Sequence, residues 1–230
     1  LIERTSLSTG YQQTHWGSSI PIPPKVMVIG AARFAVQYVG TVSSVPVQSW
    51  VYPQNRDEGF YDYAIAEKVL RFFDGHIGPF PYEKLANVQS KTRYGGMENA
   101  SNIFYSERSV SGNRASEGLI AHEVAHQWFG NSVTEKDWHH IWLSEGFATY
   151  FTQLYNEFTQ GHDAIENGMR GARNTVIAFY AQNSELALIA EQLTDPNRML
   201  NRNAYQKGAW LLHMLRRQSG DESFWAGIRE

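Results

Sequence analysis

His122, Glu123 and His126 constrain this chain more than any other residues in it. They form an HExxH pattern inside EGLIAHEVAHQWFGN, Glu117–Asn131, where Ala121, Val124, Ala125 and Trp128 recur at the i, i+3, i+4 and i+7 spacing of a helix with one apolar face. Residues four apart lie one turn apart on such a helix. Both imidazoles therefore reach a single ion, and Glu123, beside the first, leans over its open side. Two nitrogens do not complete a catalytic metal site, which takes three protein ligands and keeps its fourth position for water. The third is expected in WLSEGFATYF: Glu145 lies nineteen positions after His126 on a second expected helix, Trp142–Phe158, striped by Phe147, Tyr150, Phe151, Leu154 and Phe158. The loop from Asn131 to about Asp137 is long enough to fold that helix back against the first. The competing reading, a helix with two buried histidines bonded to neighbours, must treat Glu145 as coincidence.

Other histidines are weaker candidates. His139 and His140 lie between the two helices, but adjacent residues point different ways on a helix or strand. His15, His76, His162 and His213 stand alone and are expected at the surface or in the core. Thr149, one turn after Glu145, is a candidate outer partner of that carboxylate. There is no cysteine, so the donors must be nitrogen and oxygen and no disulfide forms.

The 230 residues suffice for one cored domain or one with part of another, and 42% hydrophobic with 19% charged residues is globular rather than disordered composition. A formal net charge of −3 with scattered basic residues argues against nucleic acid as a partner. No stretch approaches the ~20 apolar residues of a membrane-spanning helix. The chain starts at Leu1 and stops in a helical pattern at FWAGIRE, as expected of a piece of a longer protein.

Along the chain, Val26–Gly30, Phe34–Gly40 and Val45–Tyr52 have strand composition, separated by Gly, Pro and Ser. From Phe60 the period becomes helical through Phe73, and LANVQS at Leu85–Ser90 and IFYSE at Ile103–Glu107 read as further strands. Ser116 is placed to cap the HExxH helix. Gly161 and Gly168 are expected to break the chain before a helix over Thr175–Leu193, ended by Asp195-Pro196, and Asn201–Gln218 reads as a last helix.

Three motifs in order, YGGMEN at Tyr94–Asn99, HEVAHQWFGN and WLSEGFATY, resemble the M1-type gluzincin aminopeptidases, a resemblance running from about Trp50 to at least Leu215. It implies an α+β fold: a thermolysin-like zincin catalytic domain, a small mixed sheet plus helices, over 53–230 and truncated at its C-terminal end. Residues 1–52 would then be the end of a β-rich N-terminal domain; the alternative is that these strands belong to the catalytic domain itself. The resemblance also implies one zinc ion on His122, His126 and Glu145, with Glu123 as general base. Gly95, Gly96, Met97, Glu98 and Asn99 would bind substrate. A Gly pair on an extended edge lets a peptide backbone approach and pair. Glu98 would meet the protonated α-amine, a charge-assisted contact worth roughly 1.5–3 kcal/mol. Tyr205, in Tyr205-Gln206-Lys207-Gly208, resembles the tyrosine of the family's YxKG, whose hydroxyl faces the metal. Without the resemblance, GGMEN is a turn followed by an exposed acid, and Tyr205 a core aromatic.

The implied function is removal of the N-terminal residue of peptides by a metal-activated water, with free-N-terminal peptides and the remaining domains of the parent protein as partners. An endopeptidase would use the same HExxH and Glu145, and Glu98 separates the two readings. Epoxide hydrolysis, found in the family branch that shares the GGMEN form, and a catalytically silent binding module are the remaining alternatives.

Overall fold

The computed structural model describes residues 2–230. Its organising layer is a five-stranded sheet of order β3-β4-β5-β7-β6, with β3 at Ala35–Val42, β4 at Val45–Val51, β5 at Leu85–Ser90, β6 at Gly96–Met97 and β7 at Asn102–Ser106. β3 and β4 form an antiparallel hairpin, β4, β5 and β7 run parallel, and β6 returns antiparallel to β7. β5 is central, and all but its last residue are buried, as a strand covered on both faces should be. β4 instead alternates, burying Val45, Val47, Ser49 and Val51. Ahead of the sheet, β1 (Glu3–Ser6) and β2 (Gln12–His15) make a separate hairpin whose residues are all exposed.

Two helices, α1 (Arg56–Tyr63) and α2 (Ile65–His76), cross from β4 to β5. α2 buries Val69, Leu70 and Phe73 completely. α3 (Glu117–Ala125) follows the sheet and packs on α2, and α4 (Trp142–Gln160) packs antiparallel-hairpin fashion on α3 through Phe129, Phe147 and Phe151, whose rings cluster. α5 (His162–Tyr180), α6 (Pro196–Met199), α7 (Gly208–Ser219) and α8 (Asp221–Arg229) complete the helical layer. One apolar core runs from β4 through α2 and α3 to α4 and α7. The mixed sheet plus helices is the expected fold class, and α4 spans the expected helix.

Several local expectations are corrected. Val26–Gly30 is not a strand: a 3-10 turn at Pro24–Val26 leads into a stretch in which Met27, Val28 and Ile29 are exposed, and Val26 is buried, its carbonyl accepting from Ala100 N–H. Gly168 does not break a helix. It lies inside α5 where a Cβ would overlap the Gln153 side chain of α4, so the glycine serves a close crossing. The helix expected to Leu193 ends at Tyr180. Leu186, Ala190 and Leu193 have helical spacing, but turns bury them against Ile141 and Met199 in a second small cluster. Ser116 stands at the N-terminus of α3 without capping it; its hydroxyl donates to the Ser109 carbonyl. β4 is hydrogen-bonded to β5, and β3 to β4, so both belong to the same sheet as β5.

Candidate metal centre

α3 presents His122 and, at its C-terminal cap, His126; α4 presents Glu145 from its first turn. Ala121, Val124 and Ala125 anchor the back of α3 with no exposure, which turns the histidine face toward α4. His122 Nε2 lies 3.1 Å from His126 Nε2 and 3.2 Å from Glu145 Oε2, and His126 Nε2 lies 3.3 Å from the same oxygen. Zinc bonded to such donors at ~2.0–2.1 Å sets tetrahedral ligands about 3.3 Å apart. The three donor atoms thus already stand as one face of a zinc tetrahedron, and they are the group of this kind among the described residues. His126 Nδ1 donates to the Phe129 carbonyl at 3.0 Å, with Ser144 Oγ at 3.1 Å, leaving the Nε2 lone pair directed at the centre. His126 is buried and the His122 side chain keeps 19% of its exposure, so the fourth vertex opens on the His122 side.

The electrostatics fit a cation. Burial opposes ionisation of Glu145, but the two imidazoles, His126 foremost, overcome it and hold the carboxyl below its usual range. Burial also works against a charged His126, yet Glu145 raises it, so without an ion the carboxylate holds on Nε2 a proton that a bound metal would displace. His122, by contrast, is lowered by burial against the pull of Glu145. Glu123 is 5% exposed and sits against β6, where a Cβ on Gly96 would overlap its Oε1. Burial drives its carboxyl well above the usual carboxylate range; His126 opposes the shift, and Glu98 and Glu145 add to it. Glu98 is thus close enough to act on the same groups.

β6 is the outer strand of the sheet. Ser106 N–H donates to the Gly95 carbonyl, and Gly96 faces Tyr105 in the register, so antiparallel alternation turns the Gly96 N–H and C=O away from β7 to the open edge. Met97 faces Phe104, and Asn99 closes the segment, its N–H donating to the Met97 carbonyl and its own carbonyl accepting from Asn102. Tyr205 comes from a π-helical turn, Asn203–Lys207, that precedes α7. Its ring stacks parallel to His122 at 6.1 Å between centroids. Burial first, then the Glu145 carboxylate beside it, raises the phenol above its ordinary value, so it remains a proton donor. Gly146 and Gly208 bring this turn in. Each lies where the other's added Cβ would meet a Cα, at 2.8 and 2.9 Å, so α4 and the start of α7 touch backbone to backbone.

His122, His126 and Glu145 are gathered around one centre with Glu123, Gly96 and Tyr205 beside it, and Gly95, Met97, Glu98 and Asn99 lie along the chain on either side of Gly96, while His139 is occupied elsewhere, bonded to Asp137 and the Leu193 carbonyl. Thr149 makes no hydrogen bond to Glu145 among the described residues; Ser144 is the outer partner instead, on His126. Sequence reasoning missed Gln127 and Asn131. Gln127 Nε2 and Asn131 Nδ2 both donate to the Glu98 carbonyl, at 3.0 and 2.6 Å, and Gln127 Oε1 accepts from Ser101 N–H at 2.9 Å. These buried amides fix the GGMEN segment to the HExxH helix. The available signal was an amide residue one turn after Glu123, on the same face of the extended motif helix as that carboxylate.

A sequence model of the peptidase family M1 domain matches residues 61–230. The chain is 30% identical over 99% of its length to endoplasmic reticulum aminopeptidase 2 of Homo sapiens, covering 25% of that protein. It is 33% identical over 89% of its length to leucine aminopeptidase 2 of Eremothecium gossypii, covering 34% of it. It thus spans a quarter to a third of the length of these relatives. Among solved structures, a mutant M1 zinc metallopeptidase from Deinococcus radiodurans superposes with a TM-score of 0.75 at 25% identity, covering 99% of this chain and 50% of that one. The same enzyme bound to a Tyr-Ser-Ala substrate gives 0.73 at 26% identity, again covering 99% and 50%.

Proposed function

The chain belongs to peptidase family M1, and from that membership we propose that it is the catalytic part of a zinc aminopeptidase, removing the N-terminal residue of peptides. The observation that carries the reading is the joint placement of a zinc-sized face of His122, His126 and Glu145, a buried Glu123 and an open strand edge at Gly96. Among the described residues no helix is long and apolar enough to cross a membrane. We place the start of the catalytic domain before Ala35 rather than after Tyr52, because β3 and β4 complete its sheet.

His122, His126 and Glu145 would hold the zinc. When bound, zinc supplies a coordinated water of pKa near ~7 and polarises the carbonyl to be attacked. Glu123 Oε1 accepts the water's proton and later passes it to the leaving amine, a role suited to a carboxyl whose proton affinity burial has raised. The Gly95–Gly96 edge aligns the peptide as an added strand, with Gly96 N–H and C=O as its partners. Glu98 accepts from the α-ammonium and so sets the register at one residue. The Tyr205 hydroxyl donates to the carbonyl oxygen as charge develops there, a contribution on the order of 3 kcal/mol for a single donor of this kind.

The test compares free and N-acetylated peptides, with zinc content measured alongside. Free peptides should be cut and acetylated ones ignored, and Glu123→Gln should keep about one zinc per chain while losing turnover by several orders of magnitude. Equal cleavage of acetylated peptides would convert the reading to an endopeptidase.

A further inference from the structure

The strand edge ends at Gly96, and the chain before it, bent over residues 93–95, lines a groove of about 570 Å³ at the C-terminal ends of β5 and β7, whose basic residues are Lys91, Arg93 and Arg108, with Glu107 the acid in its wall. Three cations against one carboxylate make this groove basic in a chain of net charge −3. Lys91, Arg93 and Arg108 form no ion pair among the described residues, and all three are exposed. Arg93 is held in place by its neighbour, its guanidinium 4.8 Å from the Tyr94 ring and donating to the Tyr94 hydroxyl at 2.6 Å.

The groove joins the reaction centre directly. Gly95 lines it, next to Gly96, which touches Glu123. Leu119 lines it too, packs 3.7 Å from the Cβ position of Gly95, and lies one turn before Glu123 on α3. A peptide added antiparallel to β6 with its amine at Glu98 must run toward Gly95, Tyr94 and Arg93. Because the strand ends at Gly96 and the chain bends over residues 93–95, a peptide with its first carbonyl over Gly96 leaves the edge within about two residues at ~3.4 Å each, and its third or fourth residue meets the mouth of the groove.

We propose that the Lys91–Arg93–Arg108 groove is a carboxylate subsite for the downstream end of the substrate, so that the enzyme favours short peptides whose C-terminal carboxylate, or an acidic side chain, lies near position four. This rests on the aminopeptidase reading for its direction and distance. Fixing the amine at Glu98 and a carboxylate at the groove would measure a peptide by both ends.

The experiment uses the zinc-loaded protein and one tetrapeptide as free acid, as C-terminal amide, and as amide with Glu at position four. The free acid should exceed the plain amide about tenfold in kcat/KM at low salt, the Glu-bearing amide should recover most of that gain, and the preference should fade as salt rises. Recovery by the Glu side chain identifies any carboxylate as the ligand; its failure, with the acid preference intact, restricts the ligand to the chain terminus. The triple substitution Lys91→Ala, Arg93→Ala, Arg108→Ala should bring the acid-to-amide ratio close to one, and Arg93→Glu alone should favour the amide. Calorimetric binding of the same peptides to Glu123→Gln gives the order without turnover. Equal handling of acid and amide by the unaltered protein, or a preference that survives the triple substitution, overturns the proposal. Loss of all cleavage of free peptides would fail the aminopeptidase reading instead, and the binding series would still decide the groove.

Discussion

Gln127 serves three backbone groups at once: the Glu98 carbonyl in the proposed substrate-binding segment, Ser101 N–H just after it, and the Glu123 carbonyl of its own helix. Gln127→Leu keeps the bulk and strips the hydrogen bonds, leaving Ser101 N–H buried without its partner and the Glu98 carbonyl held by Asn131 alone. The expected cost is about 1–3 kcal/mol of stability. The expected kinetic signature is a roughly tenfold rise in KM for free-N-terminal peptides with zinc content and kcat little changed, because Glu98, the carboxylate proposed to bind the amine, is displaced and the metal ligands are not. Gln127→Glu, which retains the acceptor for Ser101, should recover part of the loss; a fall in zinc content instead would place Gln127 in the metal site. The contrast in what sequence reveals is physical. His122, Glu123 and His126 are readable because covalent spacing along one helix fixes their geometry. Gln127 and Asn131 act on a carbonyl 29 and 33 residues earlier, and no local pattern encodes that contact.

At the scale of elements, α4 is the beam to which the site is attached. It carries Glu145, crosses the start of α7 at the Gly146–Gly208 contact, and near its far end presents Glu157 to Arg216 of α7, which also pairs with Asp221 of α8. Burial works against an ionised Glu157, but Arg216 outweighs it and the carboxyl stays below its usual value; Arg216 holds Asp221 down likewise. Carboxyls with lowered folded values contribute stability above their unfolded values and lose it as pH falls through the folded ones. The α4–α7–α8 junction should therefore weaken below about pH 4.5. Urea unfolding at pH 7 and pH 3.5 should show a smaller drop for Arg216→Met than for the unaltered chain, and an unchanged drop would remove this cluster from the acid response. α4 was legible because its aromatic stripe is long and regular. The π turn carrying Tyr205 was not, since the residues that widen it sit in an ordinary helical pattern, and Leu186, Ala190 and Leu193 imitated a helix while serving turns.

Across the whole molecule, the class of fold followed from the motifs, but the order of strands did not. β3 and β4 read as strands from composition alone, and only the pairing of β4 with β5 brings the two into that sheet, a long-range fact that alternation cannot carry. The same connectivity predicts a global effect of the metal. An ion that joins α3 to α4 binds the folded chain and not the unfolded one, so exhaustive chelation should lower the melting temperature on the order of 10 °C, with readdition of zinc restoring it. An unchanged midpoint would mean that the three side chains hold their places without help.

The site draws on β6, α3, α4 and the turn before α7, and these join it at very different chain separations. His122 and His126 meet within one helical turn, Glu145 arrives when the next helix folds back, and Glu98 and Tyr205 arrive only once the sheet edge and α7 have docked. Loop-closure entropy favours that sequence of events, with the short separations closed first. A chain still emerging or half folded would hold at most a weak ion-binding pair, so the proposed peptide-cleaving site would be completed last, after the chain has ceased to be an unfolded peptide itself.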